Sequence, residues 1–68
     1  MITNDRELHA MLARIRTFQE QLAHLRVTEP DADNFRLSAS GFLAEVDRMQ
    51  LEVREYLSVH PTEPAGIR

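Results

Sequence analysis

Two seven-residue repeats, separated by one proline-bearing turn, constrain this chain more than any other feature. In the first segment, residues 4–26, the apolar positions are Leu8, Met11, Ile15, Phe18, Leu22 and Leu25, and their spacing alternates between three and four residues. That alternation puts every one of them on a single stripe of an α-helix. The segment contains neither glycine nor proline. In the second segment, residues 33–58, Phe35, Ala39, Phe42, Val46, Met49, Val53 and Tyr56 repeat in the same way. Two amphipathic helices in sequence, joined by a short break, form an antiparallel hairpin. The sequence therefore predicts an all-α fold: an antiparallel two-helix hairpin over residues 1–60 whose core is these thirteen side chains.

The helix boundaries are marked by local chemistry. Thr3 or Asn4 suits an N-cap, and Asn4 with Glu7 has the spacing of a capping box. Asp5 and Glu7 place negative charge at the positive end of the helix dipole. Thr28-Glu29-Pro30-Asp31 ends the first helix, because proline disfavours helical geometry in the residue before it. Pro30, Asp31 and Asp33 suit the entry to the second helix. Gly41 is the weak point of that helix, yet Phe35 and Ala39 hold the repeat in phase across it, so the helix is read as continuous. Arg48 and Glu52 form an i,i+4 ion pair in the weaker orientation. Pro61, Pro64 and Gly66 mark residues 61–68 as a flexible tail.

Size and composition then bound the function. A chain of 68 residues buries only about 60% of its unfolded surface and is marginal alone. Small proteins escape that limit with disulfides, metals or oligomerisation. There is no cysteine, and the three histidines are scattered, so self-association is the remaining route. Apolar residues off the core stripe supply surfaces for it. Leu12, Leu43 and Leu57 flank the stripe, and Leu37, Ala44 and Leu51 recur every seven residues on the far side of the second helix. Leu12, Leu37, Leu43, Leu51 and Leu57 are accordingly the candidate oligomer interface, with pairing of two hairpins into a four-helix bundle as the expected outcome.

Net charge is −3, which argues against a free-standing nucleic-acid binder. No apolar run approaches the roughly 18–20 residues of a membrane span, and the polar opening Met1-Ile2-Thr3-Asn4-Asp5 is unlike a signal peptide; a cytoplasmic location is expected. Catalytic and metal-binding patterns fail on inspection. Asp5 with His9, and Glu20 with His24, have i,i+4 spacing rather than the i,i+3 spacing of helical carboxylate–histidine sites. Leu37-Ser38-Ala39-Ser40-Gly41 lacks the first glycine and the preceding strand of a nucleophile elbow. Asp31-Ala32-Asp33-Asn34 opens like a calcium loop but has no glycine at the sixth position and no glutamate at the twelfth. No enzyme activity and no cofactor or metal are expected. Arg14, Arg16 and Arg26 give the first helix a slightly basic surface, which a solvated face explains; phosphate contact by a nucleic-acid-associated accessory protein is the alternative reading.

The opening Ile2-Thr3-Asn4-Asp5-Arg6-Glu7-Leu8, followed by Ala13, Ile15, Phe18, Glu20 and Leu22, resembles the N-terminal helical segment that precedes the DNA-binding domain in Xre-class antitoxin-like helix-turn-helix regulators. Glu52-Val53-Arg54-Glu55-Tyr56 resembles the close of that segment, so the likeness spans residues 2–58. In the family a helix-turn-helix domain follows; here residues 61–68 follow, so direct DNA binding is not carried over. The resemblance implies the assembly or partner-binding part of such a regulator. The expected function is a non-enzymatic protein–protein interaction module that pairs with itself and with a regulatory or toxin protein.

Overall fold

The computed structural model describes residues 1–62. Helix α1 spans Asp5–Thr28 and helix α2 spans Ala32–Leu57, and the two pack against each other as an antiparallel hairpin. Their bounds differ from the sequence expectation by one or two residues at each end, the ordinary uncertainty of helix termini. The expected tail lies outside the described residues from position 63 onward. Before that point the chain turns, with the Thr62 backbone N–H donating to His60 Nδ1 at 3.2 Å.

Each helix start is capped by a side-chain oxygen. Asn4 caps α1, its Oδ1 accepting from the Glu7 backbone N–H at 2.8 Å. Glu7 reaches back one residue further than a capping box requires: its Oε1 accepts from both the backbone N–H and the hydroxyl of Thr3, each at 2.7 Å. These bonds hold the Glu7 carboxyl below the usual carboxylate range, the Thr3 hydroxyl contributing most. Asp31 caps α2, with Oδ1 accepting from the N–H groups of Asp33 at 2.8 Å and Asn34 at 3.1 Å. The segment that loosely resembled a calcium loop is thus a helix cap, its first carboxylate committed to backbone donors.

Between the helices, Glu29 is extended (φ −86°, ψ 114°), as a residue before proline must be. Its N–H still donates to the Leu25 carbonyl at 2.9 Å, closing the last turn of α1, and its carboxylate accepts from the Asp31 N–H at 3.1 Å. The reversal therefore takes three residues, each carrying a defined bond or constraint. Helix α2 runs unbroken through Gly41, where a Cβ would meet no atom within 4 Å.

The core is one seam between the helices. Ile15, Val46 and Met49 form its centre, with Met11, Phe18 and Val53 packed against them. Phe18 and Phe42 meet edge to face, ring centroids 5.8 Å apart and planes at 82°, a favoured aromatic geometry. At the free ends of the helices the Tyr56 hydroxyl donates to Asp5 Oδ1 at 2.6 Å. That bond, and the desolvation and charge that accompany it, push the phenol pKa above its ordinary value.

Candidate interaction surface

The thirteen stripe residues divide into a sealed and a half-open set. Leu8, Ile15, Ala39, Val46 and Met49 are buried; Met11, Phe18, Leu22, Leu25, Phe35, Phe42, Val53 and Tyr56 are half-buried. Among the described residues only Met49 has no exposed surface. Ile2 is buried as well, although it precedes the first helical residue and has no place in the periodic pattern. The one local signal for it was an apolar residue just ahead of a capping sequence, the position from which a chain folds back onto the first turns.

Every off-stripe leucine is exposed. Leu12 retains 43% of its accessible surface, Leu43 49%, Leu57 63%, Leu51 54% and Leu37 75%. They belong to two separate surfaces. Helical residues advance by about 100° each. Relative to the core stripe, Leu12 lies about a quarter turn round α1, and Leu43 and Leu57 lie within a quarter turn in the same sense round α2. In antiparallel neighbours with the core between them, equal senses of rotation lead to the same side of the pair. Leu12, Leu43 and Leu57 therefore share one broad face that spans both helices, with Gln19 and Gln50 between them. Leu37, Ala44 and Leu51 lie about half a turn from the core, on the back of α2, where α1 contributes nothing.

The opposite broad face is polar. It carries Arg14 and Gln21 from α1 and Glu45 and Glu52 from α2. Arg48 joins the two glutamates, Nε donating to Glu45 Oε1 at 2.6 Å and Nη1 to Glu52 Oε2 at 2.6 Å. The bond to Glu45 and that residue's charge, with Glu52 behind them, raise the Arg48 pKa further. The other Glu52 oxygen lies 3.2 Å from the amino nitrogen of Met1. The hairpin thus has one face closed by ion pairs and one face offering leucine.

Several residues of the candidate chemical motifs take part in helix hydrogen bonds. Ser40 Oγ donates to the Leu37 carbonyl at 2.8 Å, so the segment compared with a nucleophile elbow is ordinary helix. His24 offers its backbone carbonyl to the Thr28 hydroxyl at 3.0 Å. Among the described residues no three His, Cys, Asp or Glu side chains converge as metal ligands, and no helix is long and apolar enough to cross a membrane. The arginines of α1 are dispersed: by helical geometry Arg14 sits on the polar face, Arg16 and Arg26 on the leucine side, and Arg6 on the back. No family model, no curated protein and no solved structure matches this chain.

Proposed function

We propose that this chain is a non-enzymatic interaction and oligomerisation module, a hairpin that pairs with a second copy to complete a four-helix bundle. The observation that carries this reading is the contrast between the faces. One is neutralised by ion pairs, while the other leaves Leu12, Leu43 and Leu57 about half exposed beside a seam in which, among the described residues, only Met49 is fully enclosed. Among the described residues no third element covers this face, and half-exposed leucines gathered on one face of a small protein suit an interaction site. Burying it removes apolar area from water at about 25 cal/mol per Å². The resemblance of residues 2–58 to the helical segment of antitoxin-like regulators supports a place in a toxin–antitoxin-like or transcription-regulatory complex in the cytoplasm. A regulatory or toxin protein would then be the further partner.

Contact with a nucleic acid through the α1 arginines draws less support. They do not line one face, and the chain carries a net charge of −3.

Pairing stabilises the folded state in proportion to concentration. The melting temperature should rise steadily as the protein is concentrated over about a hundredfold range. A melting temperature independent of concentration overturns the proposal.

A further inference from the structure

The leucine face has a pattern that matches itself after a half-turn. Leu43 and Leu57 stand fourteen residues apart on α2, with Gln50 midway between them. Phe18 packs level with Phe42, and Asp5 is bonded to Tyr56, so Leu12 lies level with Arg48 and Met49, about 1.5–3 Å along the helix from the level of Gln50. Consider a two-fold axis in the plane of this face, perpendicular to the helices, at the level of Gln50. It sets Leu43 of one copy over Leu57 of the other, Leu57 over Leu43 and Gln50 over Gln50, and brings the two Leu12 side chains close to each other beside the axis. A two-fold interface requires self-complementarity of this kind.

Charge follows the same operator. Asp47 and Arg54 straddle Gln50 on the leucine side of α2, and both are exposed. Neither has an ion-pair partner within the chain among the described residues. The half-turn that matches the leucines sets Asp47 of each copy opposite Arg54 of the other, twice per dimer. The other ways of pairing lack this match. An axis parallel to the helices brings the turns together and sets α1 on the second copy's α2, with Leu57 over Asp5 and Leu43 over Gln19. The back of α2 offers Leu37, Ala44 and Leu51 on one helix only, interrupted by Arg48 and Glu55.

We infer that two copies of this chain pair through the Leu12–Leu43–Leu57 face with their turns at opposite ends. Each α2 lies antiparallel on the other α2, Gln50 meets Gln50 at the axis, and two Asp47–Arg54 pairs border the leucines. This inference rests on the self-association proposed above and adds the face, the direction and the register.

The absence of cysteine makes the arrangement directly readable. Gln50→Cys, beside the axis, should link into a covalent dimer with a short bismaleimide, and Ala32→Cys, at the turn, should not. Leu43→Glu should weaken dimerisation by about tenfold or more, and Leu51→Glu by no more than about twofold. Asp47→Arg and Arg54→Asp should each weaken it, and the double variant should regain wild-type affinity. Circular dichroism on each variant separates loss of pairing from loss of helix. Efficient linkage through Ala32→Cys but not Gln50→Cys, or a larger effect of Leu51→Glu than of Leu43→Glu, overturns this arrangement while leaving self-association standing. Failure of the double charge variant to recover overturns the Asp47–Arg54 register. A wild-type protein that sediments as a monomer at every concentration overturns both readings.

Discussion

Met49→Ala isolates the contribution of the seam. Met49 is the one described side chain with no exposed surface, enclosed by Ile15 and Val46 at the centre of the core. The substitution deletes about three methylene equivalents, worth roughly 0.8 kcal/mol each in transfer free energy, or about 2.4 kcal/mol together. The cavity left between two helices that cannot fully close on it adds to that loss, and buried methionine-to-alanine changes span about 2–5 kcal/mol. A chain of 68 residues has a total stability of roughly 3–10 kcal/mol. The variant should therefore lose a large part of its stability. Urea denaturation followed by circular dichroism reads this directly, with wild type and variant at one protein concentration so that pairing contributes equally. Leu37→Ala, at a side chain 75% exposed, is the matched control and should cost no more than about 0.5 kcal/mol. A Met49→Ala protein that unfolds within about 1 kcal/mol of wild type, or a Leu37→Ala protein that loses as much, refutes the placement of the core.

Other expectations concern the helix ends, the glycine and pH. Gly41→Ala places a Cβ in open space within an unbroken helix and should raise stability by about 0.5–1 kcal/mol, measured by urea midpoint. Asn4→Ala and Asp31→Ala each remove a side-chain acceptor from backbone donors and should each cost about 1 kcal/mol, whereas Asn4→Asp should be nearly neutral in the same assay. Glu7 has its pKa lowered in the folded chain, so its contribution is present above the ordinary value of 4.5 and is lost as pH falls through the depressed folded value. Tyr56 has its pKa raised, so its contribution is present below the ordinary value of 10.0 and is lost as pH rises through the elevated folded value. Melting temperature should thus fall on both sides of a neutral plateau, and Tyr56→Phe should flatten the alkaline limb while leaving the acid limb in place.

Most of the fold was legible because the determinants are local. Heptad phase, a capping asparagine, and proline with aspartate at the turn act over four to seven residues, and each has its counterpart in the structure: the seam of Ile15, Val46 and Met49, the Asn4 and Asp31 caps, and the extended Glu29. Gly41 shows the limit of propensity alone, since about 1 kcal/mol at one position does not break a helix anchored by Phe35, Ala39, Phe42 and Val46. What the pattern did not reveal depends on the partner helix. Periodicity places Leu12, Leu43 and Leu57 off the stripe but does not say that they share a face; that follows from the antiparallel direction and from the level at which Phe18 meets Phe42. Ile2 lies before the repeat begins, so its burial carried no periodic signal. The Tyr56–Asp5 bond joins residues 51 apart in sequence and is a product of the closed hairpin.

Sedimentation equilibrium tests the central claim most directly. A hairpin that is half of a four-helix bundle should give a mass twice that of the 7.9 kDa chain, falling toward the single-chain value on dilution. A mass that stays at one chain across the whole concentration range, with the helices intact, would contradict the account.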